Sequence, residues 1–302
     1  MKKNVLISGG SGFVGRHLTD LLIKEGYSVS ILSRSEKKPI GDISYYKWDV
    51  GGNFIDEAAV LNADYIIHLA GENIVGQRWT EKRKAAIIDS RVQSAHLIYS
   101  VLKKNNKKVD AFISASAIGI YGAVNGDEIC TEETPAANDF LGTVCQKWEA
   151  SADEIGALQI RTVKIRTGMV LGRNEGFLAQ LVPIFKKGLG AALGSGKQYM
   201  PWIHINDLCA MYFEAVENGN MHGPYNAAIN DNTTNTVFSK TLAKIIGYSL
   251  WLPNVPGFLI KLGMGEMAKL VLTGRRVSSE KIEKTGFQFQ FRNLETALRN
   301  CL

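Results

Sequence analysis

The sequence has few of the residues that build structural metal sites and disulfide frameworks. Its 302 residues include four cysteines and five histidines. No two cysteines form a C-x-x-C pair, and no histidine lies at the spacing typical of zinc ligands. The cysteines are Cys130, Cys145, Cys209 and Cys301. We therefore predict reduced thiols, no metal site and a cytoplasmic location.

The chain also has no long uninterrupted hydrophobic run. The apolar segment "NVLIS" near the start is shorter than the core of a signal peptide, and we predict that it is a buried strand. The most apolar late segment, residues 248–273, is interrupted by proline, lysine and glutamate. Such interruptions argue against a membrane span. Internal repeats and low-complexity linkers are absent as well, so we predict a globular protein without a membrane partner.

Positive charge is in excess but is not concentrated in one region. The net charge is +6 at pH 7, and the lysines and arginines lie in short clusters such as "EKRK" and "KKNNKK" along the chain. This distribution indicates solvated faces, some of which steer an anionic small-molecule ligand. A nucleic-acid partner is not expected.

Short β-rich runs alternate with longer helical patterns in the first half of the chain. Helices are predicted over residues 80–104 and 139–154, among others. Strands are predicted at residues 4–8, 28–33, 43–49, 63–70, 110–116 and 162–168. This alternation predicts an α/β fold with a Rossmann-type, doubly wound parallel sheet.

A glycine cluster, "ISGGSGFVGRHL", joins the first predicted strand to the first helix. Gly9, Gly12 and Gly15 lie where a dinucleotide-binding loop needs a tight turn, close backbone approach to pyrophosphate and close helix–strand packing. Phe13 and Val14 begin the helix, whose free N–H groups favour phosphate. The segment therefore predicts a dinucleotide-binding site.

The end of the second predicted strand discriminates between the two nicotinamide cofactors. An acidic residue there binds a ribose 2′-hydroxyl, but this chain has Ser33 and Arg34, followed by two lysines. Serine can donate a hydrogen bond, and the arginine fork matches a 2′-phosphate. NADP(H) is favoured over NAD(H), with a solvated turn as the alternative role for Arg34.

The sequence pattern changes after about residue 172 and becomes glycine-rich and irregular. We predict an NADP-binding domain over residues 1–172, with its sheet completed by later strands near 201–228. Residues 173–302 are predicted to form a smaller, mostly helical lobe over the carboxyl edge of the sheet. That edge is where open α/β sheets bind their ligands.

Five further segments resemble motifs of the extended short-chain dehydrogenase/reductases, the group that includes sugar-nucleotide epimerases and dehydratases. In order, they are "HLAG" (68–71), "SASAIGIYG" (114–122), "IRTGMVLG" (165–172), "PWIHINDLCAMY" (201–212) and "GPYNAA" (223–228). Residues 71–94, 139–149 and 265–289 resemble an atypical subfamily, the "epimerase family proteins". That resemblance implies a subfamily-specific C-terminal domain of unknown function over residues 248–298.

The acid/base pair of this group is missing from the expected helix. The group uses a tyrosine as acid/base and a lysine four residues later, which lowers the tyrosine pKa. In "DFLGTVCQKWE", alignment on Glu149 places Leu141 at the tyrosine position and Cys145 at the lysine position. The one Tyr-x-x-x-Lys of the chain, residues 99–103, precedes the fifth strand, so we interpret its tyrosine as a packing residue and its lysine as solvated. Cys145 is interpreted as a buried filler.

Other site residues follow from the position of each motif in the resemblance. Leu69, Ala70, Gly71 and Glu72 follow the fourth strand beside the cofactor. Arg91, on the next helix, is implied to reach a cofactor phosphate or ribose, with a surface salt bridge as the alternative.

Candidates for catalysis and substrate binding come from segments expected near the nicotinamide. Tyr121 is the best surviving acid, with Ser116 as a hydrogen-bond donor, although turn and capping roles remain open for both. The candidate substrate contacts are Trp79, Tyr199, Trp202 and His204.

Two functions fit these observations. The first is an NADP(H)-dependent oxidoreductase or epimerase-like enzyme that acts on a small polar, nucleotide-linked or free substrate, with a homodimer as one option. The second is an NADP(H)-binding regulatory or scaffold protein of cell division or the envelope, without turnover. The missing Tyr-x-x-x-Lys pair keeps the second function open.

Overall fold

The computed structural model describes residues 2–302 and follows the predicted alternation closely. Its strands are β1 Asn4–Ser8, β2 Ser28–Ser33, β3 Ile43–Asp49, β4 Phe54–Ile55, β5 Tyr65–His68, β6 Ala111–Ala117, β7 Asn125–Cys130, β8 Thr162–Thr167, β9 Met169–Gly172, β10 Trp202–His204, β11 Gly223–Ala227 and β12 Gly274–Val277. Its helices are α1 Phe13–Lys24, α2 Glu57–Leu61, α3 Glu81–Lys104, α4 Phe140–Gly156, α5 Gly176–Lys186, α6 Ile205–Glu217, α7 Asn235–Ile246, α8 Gly257–Met264, α9 Lys269–Leu272, α10 Glu280–Glu283 and α11 Leu294–Cys301. Two 3₁₀ helices lie at Ile118–Tyr121 and Gly265–Ala268.

Eight strands form one sheet in the order β11-β8-β6-β5-β1-β2-β3-β4. All neighbouring strands in it pair in parallel except β4, which pairs antiparallel with β3. The chain starts in the middle of the sheet, builds outward through β2 and β3, and then crosses over to β5 on the other side. The predicted Rossmann-type, doubly wound sheet is therefore confirmed, and its crevice lies between β1 and β5.

Alternate side chains of each central strand pack against different helix layers. In β1, Val5 and Ile7 belong to the core shared with α1, α6, α7 and α11, whereas Leu6 belongs to the core shared with α2, α3 and α4. All three side chains are fully buried. Because burial of one such side chain contributes about 1.5–3 kcal/mol, both layers stabilise the sheet strongly.

Part of residues 173–302 packs with the large sheet. The strand β11 is the edge strand of the large sheet and pairs with β8. The C-terminal helix α11 packs into the same core as β1. The predicted division into residues 1–172 and a lobe of residues 173–302 stays a prediction.

A small second sheet ties the tail of the chain to the segment after β6. In it, β12 pairs in parallel with β7, with a register shift between Arg275 and Arg276. Both strands are short and rich in polar residues, so their sequences carry no alternating pattern that predicts strands. No helix in residues 2–302 has both the length and the apolar character needed to cross a membrane.

A buried carboxylate fastens the C-terminal segment to the sheet layer. Asp207, in the first turn of α6, accepts hydrogen bonds from the backbone N–H groups of Gln290 at 2.6 Å and Phe291 at 3.0 Å. Burial raises the pKa of Asp207. These two bonds position the chain that leads into α11.

We predict that Asp207→Asn lowers the free energy of unfolding by about 1–3 kcal/mol, because one buried backbone N–H then faces a donor. Thermal and urea denaturation measure this loss. The exposed Asp20 on α1 offers a matched control, and Asp20→Asn should unfold like the parent. Equal stability of Asp207→Asn and the parent would show that the two bonds contribute nothing net.

Candidate functional site

The carboxyl ends of β5, β1 and β2 meet at one edge and bring the predicted cofactor residues together. Gly9, at the end of β1, has a positive φ of 77°, and a Cβ there would lie 3.0 Å from the backbone N of Ala70 after β5. A Cβ on Gly15 would overlap the carbonyl oxygen of Gly9. The loop, α1 and the segment after β5 therefore pack backbone against backbone, which only glycine permits.

The start of α1 offers unpaired backbone donors to this edge. Gly12 caps the helix in extended conformation, and no acidic residue occupies the first turn. The first intrahelical hydrogen bond is the one that Arg16 N donates to the Gly12 carbonyl. The N–H groups of Phe13, Val14 and Gly15 lie before it and have no partner within the helix. A phosphate at the start of this helix would accept hydrogen bonds from these N–H groups and interact favourably with the helix dipole.

The end of β2 contains no carboxylate next to the strand. The Ser33 hydroxyl donates to the Ser35 carbonyl at 2.8 Å, and this turn directs the chain away from the sheet. Arg34 is exposed beside it, and Lys37 lies over the ring of Tyr45 at 5.3 Å. Glu36, two residues on, lies nearer to Lys47, at 3.6 Å, and Arg34 forms no ion pair among residues 2–302. An exposed arginine of this kind fits a 2′-phosphate.

A neutral histidine holds the segment after β5 in place. His68, fully buried, hydrogen-bonds through Nδ1 with the Ser8 hydroxyl at 2.7 Å and through Nε2 with the Ser94 hydroxyl at 3.2 Å. Ser8 Oγ also accepts from the backbone N of Ala70. Burial lowers the pKa of His68 to about 4, so the ring is uncharged at neutral pH. It thereby fixes Leu69 and Ala70 beside the glycine loop.

Arg91 on α3 is a buried cation without a carboxylate partner among residues 2–302. Its Nη1 donates to the Ile87 carbonyl at 2.8 Å, its guanidinium stacks on Trp148 at 4.7 Å, and its Nε has no hydrogen-bond partner. A Cβ on Gly71 would lie 3.0 Å from its Cζ. Burial lowers the pKa of Arg91. Arg91 thus forms no salt bridge among residues 2–302, and its buried charge would suit an anionic ligand.

Glu72, by contrast, already has a partner. Its carboxylate accepts from Arg83 at 2.9 Å, and its backbone N–H donates to the Ser90 hydroxyl. These contacts anchor the segment after β5 on α3. The backbone of Glu72, rather than its charge, thus contributes to the cofactor edge.

A cavity of about 550 Å³ continues from this edge toward the tail of the chain. One wall is a stripe of α4 side chains at helical spacing: Leu141, Val144, Cys145 and Trp148. Leu141 and Cys145 thus lie on the cavity wall, where the alignment places the tyrosine and lysine of the family. Burial, reinforced by the Glu149 carboxylate, raises the pKa of Cys145 to about 12, so its thiol is neutral.

A buried network lies behind this wall, centred on an ion pair between Arg166 of β8 and Glu149 of α4. Arg166 Nε and Nη2 donate to the two Glu149 carboxylate oxygens at 2.8 and 2.9 Å. The Ser116 hydroxyl donates to the same carboxylate at 2.7 Å. The Tyr121 hydroxyl accepts from Arg166 Nη1 at 3.1 Å and donates to the Asn226 side-chain carbonyl at 2.6 Å.

These contacts argue against the predicted catalytic roles of Tyr121 and Ser116. Tyr121 lines the cavity, but its hydroxyl donates its proton to Asn226, whereas Ser116 does not line the cavity and donates to Glu149. Burial raises the pKa of Tyr121 to about 12, despite the neighbouring Arg166. A phenol with this pKa is a poor acid/base near neutral pH.

Three of the four predicted substrate contacts lie away from the cavity. Trp202 is fully buried and donates from Nε1 to Asp231 at 3.0 Å. His204 caps α6 and stacks on Phe291 at 3.9 Å, while burial lowers its pKa to about 4. Trp79 donates to the Ile74 carbonyl and packs behind the loop after β5. These three side chains make structural contacts, whereas Tyr199 lines the cavity.

The tail supplies cavity residues that sequence reasoning missed. Lys269 of α9 and Arg275 of β12 line the cavity together with Met264, Leu270 and Val271. Helical spacing from Leu141 is a signal that could have identified Trp148. No local signal identifies the tail residues, because they follow the α4 residues of the same cavity by more than 100 positions in the sequence.

Two family models match the chain. The model of the NAD dependent epimerase/dehydratase family matches residues 5–228, and that of a domain of unknown function (DUF1731) matches residues 255–301. Epimerase family protein YfhF of Bacillus subtilis is 35% identical over 300 residues, which cover 99% of this chain and 98% of the relative. Human epimerase family protein SDR39U1 is 32% identical, with 99% of each chain covered.

Solved structures show the same fold. The crystal structure of human epimerase family protein SDR39U1 (isoform 2) with NADPH has a TM-score of 0.86 and 30% identity, and covers 99% of this chain and 98% of that chain. A UDP-glucose 4-epimerase of Thermotoga maritima with UDP-glucose has a TM-score of 0.76 at 18% identity, and covers 99% and 97%. The second likeness concerns the fold alone.

We predict that Tyr121→Phe destabilises the protein by about 1–3 kcal/mol, because the Asn226 carbonyl loses its buried donor. Turnover of a nicotinamide cofactor should change by less than tenfold. Denaturation and cofactor oxidation measure the two effects. Tyr99→Phe, at a half-buried tyrosine of α3, is the matched control. An unchanged stability with a turnover loss of about 10²-fold or more would restore the proton-donor role of Tyr121.

Proposed function

Because the chain belongs to the NAD dependent epimerase/dehydratase family, we propose that it binds NADP(H) and transfers hydride to or from a small molecule in the cavity. The observation that carries this proposal is the continuity between the glycine loop and the cavity, with Phe13 at the border of both. The NADPH in the human relative supports the choice of cofactor.

The residues of this chain fit the parts of such a cofactor. The donors at the start of α1 fit the pyrophosphate, Arg34 and Ser33 fit a 2′-phosphate, and the unpaired Arg91 fits a phosphate or ribose oxygen. When bound, NADP(H) supplies the hydride chemistry. The protein contributes orientation of the cofactor and the substrate, and the α4 side of the cavity is mainly apolar.

The α4 wall favours reduction of an electrophilic double bond over epimerisation. Removal of a hydroxyl proton, the first step in oxidation of an alcohol, needs a base beside the substrate. Leu141 cannot take a proton, and the Cys145 thiol is neutral. In a reduction, hydride adds to the electrophilic carbon while water supplies the proton, so no side-chain base is needed.

The same wall also favours the second candidate, an NADP(H)-binding regulatory protein without turnover. Leu141 and Cys145 replace both members of the reacting pair. The two functions are separated by incubation with NADPH deuterated at the transferable position and a panel of aldehydes, ketones and conjugated enones. Deuterium in a product supports the enzyme. Tight binding of NADPH that keeps all of its deuterium supports the regulatory protein.

We predict that Arg34→Ala weakens NADPH about tenfold or more and leaves NADH nearly unchanged, because only NADPH loses a charge-assisted hydrogen bond. Calorimetric titration of both cofactors measures the difference. Lys38→Ala, which removes a nearby exposed charge, is the control and should show a smaller effect. Equal losses for the two cofactors would contradict the assignment of Arg34 to the 2′-phosphate.

We predict that Arg91→Met weakens NADPH and NADH alike, by about tenfold or more, because both share the phosphate and ribose groups near it. Its stability should not fall, since the variant removes a buried charge without a carboxylate partner. Arg161→Met is a control for which we expect the reverse pattern, a loss of stability without a loss of affinity. Arg161 donates to backbone carbonyls of Ala215, Asn218 and Met221, so stability should fall while affinity is kept. Normal cofactor affinity of Arg91→Met would remove Arg91 from the site.

A further inference from the structure

The charged side chains that line the cavity all have the same sign. They are Arg91, Lys269 and Arg275, and no aspartate or glutamate of residues 2–302 is among the lining residues. Arg91 lies on the cofactor side, beside Gly71. The other two belong to the tail, on α9 and β12. A ligand in the cavity meets three cationic side chains and no carboxylate among the lining residues.

Both tail cations keep hydrogen-bonding capacity for a ligand. The nearest carboxylate oxygen to Lys269 Nζ belongs to Glu266 at 3.8 Å, and Glu266 is held more closely by Lys84 at 2.7 Å. Arg275 meets Glu128 at 3.2 Å, but the Glu128 side chain is 85% exposed. Exposed pairs of this kind contribute little. The Nε of Arg275 is buried without a partner.

The surface between these cations and the cofactor edge is mainly apolar. Leu141, Val144 and Trp148 form one side, and Leu270 and Val271 of the tail are also part of the lining. Trp148 is 7% exposed, and its indole Nε1 has no hydrogen-bond partner. A buried donor without a partner is destabilising, and an acceptor on a ligand would remove that cost. A polyhydroxylated sugar would leave most of its hydroxyl groups unpaired against this wall.

We infer that the substrate is an amphipathic anion, with an apolar body against the α4 stripe and an anionic group held by Lys269 and Arg275. This inference rests on the proposed function and specifies its substrate class. The carboxylate or phosphate of the ligand pairs with the two tail cations, and the apolar body extends toward the cofactor edge. The tail segment, which the family model of the sheet domain does not include, thereby selects the substrate.

The test uses two fluorescent probes with the same ring system. 1-Anilinonaphthalene-8-sulfonate carries an anionic group, and N-phenyl-1-naphthylamine does not. Both are titrated into the full chain with saturating NADP⁺, whose own binding is measured separately by calorimetry. The variants are Lys269→Gln and Arg275→Gln, with Lys261→Gln on α8 as the matched control, since Lys261 is exposed and does not line the cavity. Phe258→Ser reports dye bound at the 69% exposed Phe258 side chain.

We expect each cavity variant to weaken the sulfonate probe about tenfold, the loss of one charge-assisted hydrogen bond, and to leave the neutral probe unchanged. Both control variants should bind both probes like the parent. Equal affinity of the sulfonate probe for all variants overturns the inference, as does an equal loss from Phe258→Ser. Displacement of the probe by UDP-glucose at lower concentration than by decanoate overturns it in favour of a nucleotide sugar. Absence of NADP⁺ binding defeats the proposed function instead.

Discussion

The ion pair between Arg166 and Glu149 is the contact on which the site depends. It joins β8 to α4, and its guanidinium also contacts Tyr121 and the Glu132 carbonyl. Both partners are buried, so each charge loses hydration, and loss of either partner leaves the other uncompensated. Two parallel hydrogen bonds allow one orientation of the fork. The pair therefore fixes the position of α4 relative to the sheet more than it adds net stability.

The cavity wall follows from that fixed position. Glu149 and Asp153, one turn apart on α4, face Arg166 and Lys164 of β8. With this side of the helix held on the sheet, helical geometry directs another face toward the cavity, where the apolar stripe lies. A hydroxyl at Tyr121 completes the network behind the wall. The same residues that resemble catalytic machinery in the sequence thus serve to hold a wall that contains no acid or base.

The two halves of the cavity come from different parts of the chain. The cofactor edge is built from the first strands and α3, where backbone donors and glycine packing recognise groups common to all dinucleotides. The tail, within residues 255–301 matched by the second family model, supplies Lys269, Arg275 and apolar neighbours. It is fastened at two places, by the β7–β12 pair and by Asp207. Under the proposed function, substrate choice can therefore vary with the tail while the cofactor edge stays the same.

The sequence by itself determined the fold class, most strands of the sheet and the place of the glycine loop between β1 and α1, because periodic hydrophobicity and glycine clusters are local signals. It also showed the absence of the tyrosine and lysine pair. Only the tertiary structure decided which polar residues reach the cavity. Ser116, Trp202 and His204 do not line the cavity, and Tyr121 lines it with its hydroxyl engaged by Asn226 of a distant strand. These contacts depend on long-range packing, which no short segment of sequence encodes. The same holds for the position of Lys269 and Arg275 in the cavity wall.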